Sequence, residues 1–69
     1  MTNEDLLRAI EKGAADFGMA PSTLCLRAAG AGHLPARLRG GGSTTLTIAN
    51  KILAYIEDER TRRLRERAA

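Results

Sequence analysis

Cysteine is almost absent from this 69-residue chain, which holds only Cys25. No internal disulfide can staple it. With His33 as the only second plausible ligand, no four-ligand structural zinc site can form, so neither metal nor cofactor is expected. No run approaches the roughly 18 apolar residues that cross a membrane. The acidic Glu4-Asp5 start is wrong for a signal peptide, and the expectation is a soluble, cytoplasmic protein. Catalytic equipment is equally thin. Ser43, His33 and Asp16 occur singly, with nothing to set them as a triad, and so short a domain offers little enclosed space. Gly40-Gly41-Gly42-Ser43-Thr44 lacks the lysine of a nucleotide-binding P-loop and follows no predicted strand. No enzyme is expected.

The most telling absence concerns charge. All eight acidic residues lie in Glu4–Asp16 and Glu57–Glu66, and between Phe17 and Ile56 there is no carboxylate. Arg27, Arg37, Arg39 and Lys51 occupy that same middle. The formal net charge is only +3, but a carboxylate-free segment projects positive potential, the footprint of a polyanion binder. A solvated basic surface without any partner is the plainer explanation, and net charge alone does not separate the two.

What is present is helical periodicity. Thr2-Asn3-Glu4-Asp5 has the form of a capping box. Leu6, Leu7, Ile10, Ala14 and Phe17 then follow a 3.6-residue stripe, while Glu4, Arg8, Glu11 and Lys12 face out. Gly18 fits a C-terminal stop, so a first helix is predicted over Asn3–Phe17. Gly13 inside it costs up to about 1 kcal/mol against alanine and suggests a close helix contact. Pro21 suits the first position of a second helix running to Ala29, with Leu24, Cys25, Ala28 and Ala29 on a narrow face of mostly small side chains. Leu26 falls off that face. A third helix is predicted from about Gly32 to Arg39, held by Leu34 and Leu38 four residues apart. Opposite them stand His33, Ala36, Arg37 and, to one side, Arg39. The triple glycine ends it, and Thr45 is the predicted N-cap of a fourth helix with Ile48, Ile52, Leu53 and Ile56 as its stripe and Leu46 and Ala49 alongside. Beyond Ile56, acids precede bases at i,i+3 and i,i+4 (Glu59 with Arg62 and Arg63), which predicts a solvated helical extension. The division is a domain over 1–60 and a charged extension or tail over 61–69. No internal repeat is present. Every apolar stretch has period 3.6 and none alternates, so the expected class is all-α, a bundle of four to five helices.

Two short helices joined by a small-residue turn follow the logic of a helix-turn-helix, in which the first crosses the phosphate backbone and the second enters the groove. On that geometry Arg37, mid-helix and outward, is the candidate for guanine O6/N7. His33 would meet a base or a phosphate, Pro35 and Ala36 would touch thymine methyls, and Arg39 would meet a phosphate. Ser22, Thr23 and Arg27 belong with the backbone contacts, as do Ser43 and Thr44 beside the start of the fourth helix. Ordinary capping is the alternative for those hydroxyls, and solvation is the alternative for His33. The expected partner is double-stranded DNA, which would make the protein nucleoid-associated.

From Gly18 to Ile56 the sequence resembles small bacterial helix-turn-helix regulators of the lambda-repressor-like (Xre-type) superfamily. The pieces that carry the likeness are Gly18-Met19-Ala20-Pro21-Ser22-Thr23-Leu24 and Ala36-Arg37-Leu38-Arg39-Gly40-Gly41-Gly42-Ser43. Thr45-Leu46-Thr47-Ile48-Ala49 and Ile52-Leu53-Ala54-Tyr55-Ile56 follow. The resemblance implies a DNA-reading helix after the turn and a homodimer on a palindromic operator, the work of a transcriptional regulator, by expectation a repressor. Three positions depart from the pattern. Relatives tend to carry a polar Asn/Asp pair where Gly30-Ala31 stand, a serine or other polar cap where Ala20 stands, and a basic residue where Leu26 stands. The dimer surface would be the fourth helix, through Tyr55, Ile56 or Leu64. A different class competes: a protein-interaction module, antitoxin-like or RNA polymerase-binding, that uses the same helices and contacts its partner with the fourth helix and tail.

Overall fold

The computed structural model describes residues 2–68, and within them the chain forms four helices and no strand: α1 Asn3–Phe17, α2 Pro21–Ala29, α3 Leu34–Arg39 and α4 Leu46–Ala68. Each boundary has a local cause. At the start of α1 the Asp5 amide donates to Thr2 Oγ1 and the Thr2 amide to Asp5 Oδ2, each at 3.1 Å, which closes the expected capping box. The bond from the Thr2 amide is the chief cause that holds the Asp5 carboxyl below its ordinary range. Gly18 ends the helix in the left-handed region at φ 67°, and the Met19 amide reaches back to the Ala14 carbonyl at 3.0 Å. Pro21 opens α2, whose Ala20 cap offers no side-chain acceptor.

Helix α3 starts two residues later than the sequence predicts, at Leu34 rather than Gly32. Proline explains it. In a helix begun at Gly32, the Pro35 ring would press on the Ala31 carbonyl, which would also lose the hydrogen bond it needs. Instead the Leu34 amide donates to the Ala31 carbonyl at 3.0 Å in a turn, and the helix begins beyond it with Pro35 in its first turn. Thr45 caps α4 as expected, accepting from the Ile48 amide at 3.2 Å. From there one continuous helix of 23 residues, about 34 Å at 1.5 Å per residue, runs through the charged segment. Ala69, at the end of the expected extension, lies outside the described residues. Among the described residues no helix is long and apolar enough to cross a membrane.

One apolar core joins the four helices. Leu6, Ile10, Ala14 and Phe17 come from α1, Leu24 and Cys25 from α2, Leu34 and Leu38 from α3, Ile52 and Ile56 from α4, with Ala31 in the turn. Burial in that apolar setting pushes the Cys25 thiol up to about 11, which leaves it an inert packing atom at neutral pH. Helix α3 packs on α1 and α2 and, among the described residues, does not reach α4. Leu46 does not join the stripe. At the first position of α4 it is 76% exposed.

At Gly13, α1 meets side chains of both α2 and α4. A Cβ there would stand 3.3 Å from both Ile56 Cγ1 and Leu24 Cδ1. The helix gives up propensity at this position for close packing. Gly13→Leu is therefore expected to overpack this junction and cost about 1–3 kcal/mol, read as a lower midpoint in urea unfolding. An unchanged midpoint would mean the helices are not in such contact.

The charged half of α4 is not wholly solvated. Arg60 pairs with Asp16 at 2.9 Å, and Arg63 donates to the Phe17 carbonyl at 3.2 Å. Their guanidinium carbons lie 5.9 and 4.9 Å from the centre of the Phe17 ring. Glu59 accepts from both Arg62 and Arg63, and the Arg62 guanidinium in particular lowers its carboxyl pKa. An arginine cluster thus seals the C-terminal end of α1.

Candidate nucleic-acid interface

The carboxylate-free middle of the chain folds into α2, α3, the glycine loop and the first part of α4. Helices α2 and α3 turn their apolar sides inward through Leu24, Cys25, Leu34 and Leu38. Gly30, at φ 68°, makes the reversal between them possible, and its amide donates to the Leu26 carbonyl at 2.8 Å. What remains outward is mostly cationic and polar, with Leu26 the large apolar exception. Ser22 and Arg27 on α2 are exposed, as are His33, Ala36, Arg37 and Arg39 at and along α3, while Thr23 is half-buried. In the loop leading to α4, Ser43 is exposed and Thr44 half-buried. Thr44 lines a shallow apolar groove with Leu6, Leu46 and Leu53.

Two expected site residues are corrected by their burial. Pro35 is buried with Leu34 and Leu38, so no thymine methyl can reach it. Its place in the first turn of a helix that begins at Leu34 points the ring into the core. Ile56, expected at a dimer surface, is 8% exposed and packs beside the Gly13 position, so it closes the protomer's own core. Of the other two dimer candidates, Tyr55 is half-buried against the core and Leu64 is 59% exposed.

Sequence reasoning missed two features of the α3 face. The first is a carboxylate. Glu11 of α1 accepts from Arg39 at 2.8 Å, across 28 residues of chain. Arg27 and Arg37 have no ion pair among the described residues. The second is the support of Arg37. The Gly42 amide donates to the Arg37 carbonyl at 2.9 Å, and a Cβ on Gly42 would come within 2.7 Å of Arg37 Cγ and 2.9 Å of that carbonyl oxygen. The stem of Arg37 thus lies against a backbone with no side chain to displace it. Three consecutive glycines in the sequence hint at close approach, but they do not say which one is approached. Gly42→Ala must shift backbone as well as the arginine, and is expected to cost about 1–3 kcal/mol in urea unfolding. A variant as stable as the parent would show that this approach is loose.

Leu26, without a place in the sequence pattern, is 59% exposed and lies over the turn, where a Cβ on Gly32 would meet its Cβ at 3.6 Å. Among the described residues no three His, Cys, Asp or Glu side chains gather in a metal-holding group. No family model, curated protein or solved structure matches this chain.

Proposed function

We propose that this chain is a sequence-specific double-stranded DNA-binding protein of the lambda-repressor-like kind, a transcriptional regulator that acts as a repressor. The observation that carries the proposal is a set of exposed basic side chains, Arg27, His33, Arg37 and Arg39, in a segment that holds no carboxylate of its own. They lie on and between two short helices joined through Gly30. In this reading α2 crosses the phosphate backbone and α3 lies in the major groove. Arg37 meets a guanine edge, and Ser22, Arg27 and Arg39 meet phosphates. Two copies bind half-sites about 34 Å apart, meeting through the exposed side of α4 near Tyr55 and Leu64.

One specific observation favours a second docking geometry for the same function. Helices α1 and α2 are also joined by a glycine in the left-handed region, Gly18, with a connection of only Gly18-Met19-Ala20. That too satisfies the three- to four-residue turn of a helix-turn-helix. Helix α2 has nine residues where α3 has six, and it presents Ser22, Leu26 and Arg27 outward. In this geometry α2 is the groove helix and α3 supports it from the side.

Salt dependence tests the proposal. Binding to a labelled duplex should weaken linearly in a double-logarithmic plot against salt, with a slope of about −0.9 for each phosphate contacted. Selection from a pool of random duplexes should return a palindromic preference. Absence of duplex binding even at low salt would reject DNA as the partner and favour the protein-interaction module.

A further inference from the structure

The acidic residue on the cationic face is out of keeping with the rest of that face. The segment from Phe17 to Ile56 holds no carboxylate, yet the fold brings Glu11 of α1 onto Arg39 at 2.8 Å. Stability does not account for the pairing. Both side chains stay well solvated, at 54% and 44% exposure for Arg39 and Glu11, and a pair in water contributes little. Leu34, Pro35 and Leu38, all buried, already hold α3 to the core. Arg27 and Arg37, the other two arginines of the face, have no ion pair among the described residues.

We infer that Glu11 is a built-in competitor for phosphate at Arg39, a carboxylate gate that holds down the protein's affinity for nucleic acid of any sequence. The inference rests on the DNA-binding reading and adds a regulatory residue that lies on neither α2 nor α3. A carboxylate and a phosphate oxygen present the same kind of acceptor to a guanidinium. Arg39 donates to Glu11 in the free protein, so a duplex must take that donor from it. The released carboxylate then stands beside the phosphate backbone and is repelled by it. A base contact by Arg37 is untouched by this exchange, since Arg37 has no such partner. The gate therefore lowers binding to every duplex by the same factor, so that at a given concentration only sites where base contacts add to the phosphate contacts stay occupied.

The test is a double-mutant cycle on the full chain with Glu11→Gln, Arg39→Ala and the two combined. The probe is a labelled mixed-sequence duplex of about 20 base pairs, two helical turns. Glu11→Gln keeps the side-chain size and removes the charge. It should bind this duplex about two- to five-fold more tightly than the parent, the worth of a solvated ion pair. In the Arg39→Ala background the same change should give almost no gain, because the competition has lost its object. Melting temperatures record the folded state alongside, and a merely structural pair would show instead as a lower melting temperature with no gain in binding. Two results overturn the gate while leaving the DNA reading intact: Glu11→Gln curves that overlay the parent, or an equal gain with and without Arg39, which would be a general field effect. If the parent binds no duplex at low salt, the DNA reading fails and the gate with it.

Discussion

Leu38→Ala is expected to leave much of the protein unfolded at ordinary temperature. Leu38 is 6% exposed and belongs to the single core that all four helices share. Truncating a buried leucine costs about 2–5 kcal/mol, because the lost transfer energy and the cavity add. A chain of 69 residues has only roughly 3–10 kcal/mol in total at ~0.05–0.15 kcal/mol per residue. Helix α3 makes the loss worse. It has six residues, far below the length at which a helix persists alone, and among the described residues it leans on α1 and α2 alone. Its inward anchors are Leu34, Pro35 and Leu38, so removing one loosens the whole element. Leu46→Ala is the matched control, since that leucine is 76% exposed and its loss should stay within about 0.5 kcal/mol. Urea unfolding followed by helical circular dichroism compares the two. If Leu38→Ala unfolds with the parent's midpoint, α3 is not packed as described and the face it presents loses its basis.

The parts of this fold that the sequence announces are those with local signals. Helix α1 runs over the predicted residues because its start, stripe and stop are written within a few positions of one another: Thr2 with Asp5, leucine and isoleucine at helical spacing, then Gly18. Helix α2 and the Thr45 cap are legible for the same reason. Local signals also misled. Leu34 and Leu38 suggested a helix from Gly32, and the constraint that mattered was Pro35 against the Ala31 carbonyl, a clash that depends on register. An apolar stripe shows which residues want burial but not what buries them, so Ile56 read as well for a dimer surface as for the protomer core.

What was not legible is contact across long separations in sequence. Arg39 finds Glu11 across 28 residues, Arg60 finds Asp16 across 44, and Arg63 finds the Phe17 carbonyl across 46. A charged run carries no mark of which arginine will lie on an aromatic ring in another helix. Gly13 shows the same limit, since its propensity cost is plain in the sequence while its neighbours, Leu24 and Ile56, emerge only when three helices come together. For the candidate interface the consequence is specific. Composition located the cationic segment, and folding then sorted it, hiding Pro35, tying Arg39 and leaving Arg27 and Arg37 without ion pairs among the described residues.

Arg37→Ala should sever base recognition while leaving the protein folded. Its side chain is exposed and, among the described residues, has no ion pair, so truncation removes little packing beyond the stem resting on Gly42. If α3 lies in the groove, the loss of a bidentate guanine contact costs about 1–3 kcal/mol, roughly 5- to 150-fold in affinity, and the preference at one position per half-site disappears. Arg27→Ala, on the helix that crosses the backbone, should weaken every duplex alike and make the salt slope shallower by about one. The second docking geometry reverses these signatures. With α2 in the groove, Arg27→Ala erases a base preference and Arg37→Ala weakens binding uniformly. Both variants should keep a stability within about 0.5 kcal/mol of the parent, because neither residue is buried or, among the described residues, ion-paired. Measuring the two on the selected duplex, on single-base variants of it and on unrelated sequence therefore identifies the helix that reads. Should both variants bind every duplex as the parent does, the cationic face is a solvated surface and the proposal of DNA recognition through it is wrong.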